Sequence, residues 1–209
     1  MGEIRLFPGL LSPPAGLDFL GNLPSEEGLH LIAFGEGALA ALKVAFQEEA
    51  RSLVLLSPIL RKDPLLSAKL SALRFGLEAG GVEGFARVGR ALFFGPRAVE
   101  SEEVFAVWRG GLTEEGVRAW LAQVEGLSDE RRWLRGTGAR LLLLQGAWDA
   151  FTPPHSSKEV VDFAKGEALR FTLEAGHLVP WEAQEEVLDL VADFLEGEAF
   201  RPLPGGLAL

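Results

Sequence analysis

The stretch Leu29 to Glu49, LHLIAFGEGALAALKVAFQEE, constrains the fold more than any other part of this chain. It opens with an apolar run, Leu29 to Phe34, turns through Gly35-Glu36-Gly37, and continues with small and apolar residues at helical spacing. An apolar strand, a glycine turn and a helix built to be buried describe one parallel α/β unit. The turn of such a unit lies at the carboxyl end of its strand, where open α/β sheets place their ligands.

A bend of this form can carry chemistry. In the nucleophile elbow, G-x-S-x-G, a serine is held exposed on the tight strand-to-helix turn. The matching letters here are Ala33-Phe34-Gly35-Glu36-Gly37. The small flanking residues are present and the serine is replaced by Gly35. Glycine has no side chain with which to attack a carbonyl, so no acyl-enzyme can form at that position.

Other strands follow the same pattern. Ser52 to Ser57 and Leu141 to Gln145 are apolar runs suited to burial on both faces, and Ile4 to Phe7 and Ala168 to Leu173 are shorter or weaker ones. Helical patterns fall at Ser156 to Lys165 and Trp181 to Leu195. Strands alternating with helices predict a mostly parallel sheet of about five strands with helices on its faces, the first strand at an edge.

Residues 59–138 do not alternate. They read as helices over Leu65–Glu78, Val82–Phe94, Ser101–Arg109, Thr113–Val124 and Asp129–Leu134, punctuated by glycines. An all-helical insert between two strands is placed to lie over the carboxyl ends of the sheet as a cap. The expected organisation is therefore a core of residues 1–58 and 139–198, a helical cap of 59–138, and a flexible tail of 199–209 rich in proline and glycine.

Composition narrows the partners. The net charge of −10 disfavours nucleic acid and anionic membranes. No apolar run approaches the roughly 20 residues that span a bilayer, and MGEIRLFPG does not read as a signal peptide, so a cytoplasmic protein is expected. The absence of cysteine removes disulfide and thiol chemistry. No metal or cofactor motif is present. One asparagine, one methionine and more arginine than lysine fit a thermophile, although a GC-rich genome biases composition the same way.

Taken together, these segments resemble the α/β-hydrolase superfamily. LIAFGEGALAALKVAFQEEARSLVLLSP is similar to the family's elbow strand, elbow helix and next strand. ARLLLLQGAWDAFTPP is similar to its acid-bearing strand and loop, and LEAGHLVPWEAQEEVLDLVADFL to its histidine loop and last helix. The order of elbow, acid and histidine is the family's own. The helical insert resembles the cap of esterases and of the menaquinone-synthase group. The family's additional N-terminal strands, and a strand between oxyanion turn and elbow, have no counterpart here.

The resemblance implies a site. Asp149 matches the acid, His177 the base and Gly35 the vacated nucleophile position. Gly9 and Leu10 match the turn that supplies one oxyanion amide, and Glu36 the residue whose own amide supplies the other. A carboxylate there would oppose a developing negative charge, so Glu36 is expected to be a surface residue in the first turn of a helix, favoured by the dipole. Ser12 and Ser57 are weak candidates for a replacement nucleophile. His30 is expected at the opposite end of the sheet, and His155 in a turn.

Two functions stay open. The Asp149–His177 dyad could serve as a general base on a small carbonyl-containing metabolite without a covalent step. Alternatively, the chain is an inactive relative that binds a small apolar ligand or a protein partner. An ordinary serine esterase ranks below both. The substrate and the oligomeric state are not legible.

Overall fold

The computed structural model describes residues 2–12 and 16–197. The expected tail therefore lies outside the described residues. Five strands form one parallel sheet in the order β1-β2-β3-β4-β5: β1 Glu3–Phe7, β2 Leu29–Phe34, β3 Ser52–Leu56, β4 Arg140–Gly146 and β5 Ala168–Leu173. The expected sheet is thus present, with β1 at one edge. The central strands β2, β3 and β4 are buried almost throughout, which is why their sequences are apolar on both faces.

Alternation along these strands sorts the core into two layers. Leu31, Ala33, Leu53, Leu55, Leu141 and Leu143 face α1 (Gly37–Gln47), which buries Ala38, Ala41, Leu42 and Ala45 against them. Small residues on that helix let it lie close to the sheet, directly after the elbow. On the other face, Ile32, Phe34, Val54, Leu56, Leu142 and Leu144 join the core that includes the last helix.

The segment between β3 and β4 is helical. It comprises α2 (Pro64–Phe93), α3 (Pro96–Val99), α4 (Glu102–Gly110), α5 (Glu114–Glu125) and a 3₁₀ stretch, Glu130–Gly136. Asp63 starts α2 as its N-cap, accepting from the Leu66 amide at 2.7 Å. The two helices expected on either side of Gly80-Gly81 are the halves of α2. They are separated by non-helical backbone at Gly80 and by Gly81 at φ +60°. A Cβ on Gly76 would lie 2.7 Å from the Gly84 carbonyl. Residues eight apart on a straight helix are about 12 Å apart, so the halves fold back on each other, and only glycines permit that approach.

Some boundaries differ from the sequence reading. The expected helix Asp129–Leu134 is a 3₁₀ stretch from Glu130, held by Asp129 accepting from the Arg131 backbone and guanidinium. The expected helix from Trp181 is two, α7 (Val179–Glu182) and α8 (Gln184–Leu195), broken at Ala183. Between β4 and β5 lies α6 (Pro154–Asp162), so His155 is a helical residue and not a turn residue. The break at Ala183 has no local glycine; beside it the Glu182 carboxylate makes tertiary bonds, accepting from Gly95 N at 2.8 Å and Gly176 N at 3.1 Å.

The carboxyl ends of the strands are pulled together by glycine contacts. A Cβ on Gly146, at the end of β4, would collide with the Gly176 carbonyl. This contact closes the loop after β4 onto the loop after β5. Gly146→Ala should therefore overpack the junction and lower stability by about 1–3 kcal/mol. Gly138→Ala, where no atom lies within 4 Å, should change stability little. Urea unfolding of the two variants checks this.

Candidate active site

Gly35 sits at the apex of the elbow with φ +58°. Its amide donates to the Leu56 carbonyl at 3.0 Å, and its carbonyl accepts from the Ile59 amide at 3.0 Å, so the bend is tied to the next strand. A Cβ at this position would meet only Ile59 Cδ1 at 3.9 Å. The left-handed backbone costs an L-residue about 1–2 kcal/mol, but there is space for a side chain.

Glu36 overturns the surface expectation. Its residue is only 3% exposed. The carboxyl group accepts from the Leu10 amide and, at 3.0 Å, from Trp120 Nε1, and its own backbone amide bonds it as well. Leu10 contributes only its amide, since its side chain is half exposed. Gly9 is needed beside it: a Cβ there would stand 2.9 Å from Glu36 Oε2. Leu10 N–H and Glu36 N–H are the pair of amides that the sequence reading assigned to an oxyanion. Here they hold a carboxyl group of the chain itself. Burial pushes the Glu36 carboxyl above the ordinary value of 4.5, opposed by the Leu10 amide, its own amide, the Trp120 indole and His177.

Asp149 and His177 are brought together. Asp149 Oδ2 lies 2.8 Å from His177 Nδ1. The carboxylate also accepts from Phe151 N at 2.9 Å, Thr152 N at 2.7 Å, Thr152 Oγ1 at 2.8 Å and Gln145 Nε2 at 2.5 Å. A carboxylate accepts from a ring N–H, so in the neutral imidazole this contact selects the tautomer with the hydrogen on Nδ1 and the lone pair on Nε2. The ring is walled by Phe34, Phe93 and Phe151, with centroids 5.6, 5.7 and 5.2 Å away. The His177 amide donates to the Phe93 carbonyl at 2.7 Å, which ties the histidine loop to the end of α2.

His177 and Glu36 face one small chamber, also lined by Leu11, Phe34, Phe93, Trp120 and Leu178. Its volume is about 10 Å³, room for about one water. An imidazole and a carboxyl group lining one water-sized space form an acid–base arrangement. They do not form an acylation site. Neither Ser12 nor Ser57 lines the chamber. Ser57 is buried with φ +42° and no hydrogen-bond partner for its hydroxyl. His30 is at the opposite end of β2, bonded to Ser52 Oγ and the Glu26 carbonyl. Among the described residues, no group of three His, Asp or Glu side chains could hold a metal ion.

Sequence reasoning missed Trp120, Phe93, Thr152 and Gln145. Thr152 had a local signal, three residues after Asp149 on the same loop. Trp120 and Phe93 had none, because they reach the site from the helical segment.

No family model and no curated protein matches the chain. Solved structures do. A hydrolase from Pseudomonas aeruginosa PA01 superposes with a TM-score of 0.75 at 18% identity, covering 92% of this chain and 89% of its own. The enol-lactonase of Burkholderia xenovorans LB400 gives 0.73 at 15%, covering 92% and 90%. MGS-M2, an α/β-hydrolase enzyme from a Medee basin deep-sea metagenome library, gives 0.73 at 12%, covering 96% and 90%. The chain has the α/β-hydrolase fold. At these identities the likeness is one of fold, and the site must be argued from this chain's own residues.

Two outcomes follow from a carboxyl group seated on the oxyanion amides. Gly35→Ser alone should stay silent toward p-nitrophenyl acetate, because the place of the tetrahedral oxygen is taken. Gly35→Ser combined with Glu36→Leu should hydrolyse it, and His177→Ala should remove the gain. Activity in the single variant would show that Glu36 does not block the amides. The second outcome concerns pH. A carboxyl raised on folding contributes stability that is complete below the ordinary 4.5 and is lost as pH rises through its folded value. The native protein should therefore lose stability relative to Glu36→Gln as pH rises from 4.5, measured as the difference between their denaturation midpoints.

Proposed function

We propose that this α/β-hydrolase-fold protein has no acyl-enzyme chemistry and uses the Asp149–His177 dyad as a general base on a small carbonyl compound held beneath a helical cap. The observation that carries this reading is the juxtaposition at the elbow. Position 35 presents no nucleophile, the two oxyanion amides hold Glu36, and an oriented histidine lone pair is left beside the same chamber. A base with no neighbouring nucleophile can still take a proton from water or from an acidic C–H. Burial among Phe34, Phe93 and Phe151 keeps water from competing for that proton. A substrate larger than a water requires side chains of the chamber wall to move aside, and Phe93 and Trp120 are the two that the helical segment contributes.

A second reading is favoured by the chamber's size. With room for about one water, and with Asp149 saturated by five donors, the dyad would be a brace inside an inactive relative that binds a small apolar ligand or a protein partner.

Deuterium exchange separates the two. Butane-2,3-dione incubated with the native protein in D₂O should exchange its methyl protons, followed by proton NMR. His177→Ala should slow the exchange by about 10²- to 10⁴-fold, and the native protein should leave p-nitrophenyl acetate intact. No exchange, with benzene raising the melting temperature of native and His177→Ala protein alike, would favour the inactive binder.

A further inference from the structure

Glu36 is the one buried ionisable group at the site that the dyad mechanism does not use. It has no cationic partner: its bonds come from two backbone amides and an indole. It faces the same chamber as His177, across a space of one water. When a base removes a proton next to a carbonyl, negative charge develops on the carbonyl oxygen, and a preorganised donor must meet it. The amides that would meet it in a hydrolase are engaged by Glu36 itself. Any donor to that oxygen must therefore be the Glu36 carboxyl or come from outside the described site.

We infer that Glu36 is the acid partner of His177, donating its proton to the carbonyl oxygen of an uncharged enolisable substrate. This inference rests on the general-base reading of the dyad. The step balances without any other reactant. His177 Nε2 takes the proton from the carbon next to the carbonyl. The electron pair of that C–H bond becomes the C=C bond, and the carbonyl π electrons move to oxygen, which takes the proton of Glu36. An enol, a His177 imidazolium and a Glu36 carboxylate result. Asp149 stabilises the imidazolium through Nδ1, 2.8 Å away. The Leu10 amide, the Glu36 amide and the Trp120 indole stabilise the carboxylate. The imidazolium then returns a proton to that same carbon while the enol O–H gives its proton back to the Glu36 carboxylate, which regenerates the ketone with solvent hydrogen at the exchanged position.

The same arrangement selects the substrate class. A carboxyl whose hold on its proton is strengthened by burial can donate to a ketone oxygen, while a substrate carboxylate brought beside Glu36 would meet another carboxyl group with no Lys or Arg lining the chamber. The site therefore suits neutral carbonyl compounds over keto acids.

The test compares butane-2,3-dione with pyruvate, which is nearly the same size and carries a charge. Native protein should exchange the dione's methyl protons in D₂O and leave those of pyruvate at the background rate. Glu36→Gln, shown to be folded by circular dichroism, should slow dione exchange by about 10²- to 10⁴-fold and abolish the limb of the pH–rate profile that reports the acid. Trp120→Phe, which removes one donor to the Glu36 carboxylate, should shift that limb to higher pH. If His177→Ala is inactive while Glu36→Gln exchanges at the native rate, the assignment of Glu36 is overturned and the dyad reading stands. If native protein exchanges neither probe, both fall. Faster exchange of pyruvate than of the dione overturns the substrate class and the acid role together.

Discussion

A carboxyl group cannot be taken out of water without hydrogen bonds to replace those it loses. In this protein the Glu36 carboxyl meets that demand with the Leu10 amide, its own amide and the Trp120 indole. Much of the site's layout depends on that. Gly9 must lack a side chain so that the carboxyl can approach. The loop after β1 must lie against the elbow to bring the Leu10 amide in. A Cβ on Gly37 would strike the Phe7 carbonyl, so the start of α1 is glycine for the same close approach. Trp120, on α5, must come down onto the sheet, which adds a polar bond between the helical segment and the elbow.

A second set of bonds fixes the opposite wall. Asp149 gathers its own loop through Phe151 N, Thr152 N and Thr152 Oγ1, and reaches across to His177. Glu182 clamps Gly95, just after α2, to Gly176, just before His177. Burial raises the Glu182 carboxyl, and the Gly95 and Gly176 amides oppose the rise. Thus a buried Glu36 and a half-buried Glu182 each seat a carboxyl group on backbone amides, one at the elbow and one beneath the histidine loop. The aromatic side chains fill the space between: Phe93 packs edge-on against Phe151 at 4.9 Å and against Trp120 at 6.0 Å. The result is an apolar chamber with few polar groups, each held in one geometry.

What could be read in advance divides along physical lines. The central strands were legible because burial on both faces demands an unbroken apolar run, and Leu53 to Leu56 and Leu141 to Leu144 have no other use. The elbow was legible because φ +58° at Gly35 and the close approach at Gly37 each call for glycine. Asp149 and His177 could be paired because their segments resemble the family's acid and histidine loops, and the contact forms because each follows a strand of one parallel sheet. The helix break at Ala183 was not legible because the Glu182 bonds beside it are tertiary, and the 3₁₀ geometry after Asp129 combines a local Asp129–Arg131 bond with a tertiary one from Glu130 N–H to the Leu60 carbonyl that spacing does not show.

Glu36 marks the limit most clearly. A glutamate in the first turn of a helix is, by local rules, a solvated residue favoured by the dipole. Its burial was decided by a glycine 27 positions earlier and a tryptophan 84 positions later, neither of which is recognisable as its partner from spacing. By itself the sequence determined the α/β sheet, the shape of the elbow and the glycine at its apex, because periodicity and the conformational freedom of glycine are local properties. Only the tertiary structure decided that the amides beside the elbow hold a carboxyl group, because a buried carboxyl takes its partners from wherever the fold delivers N–H donors.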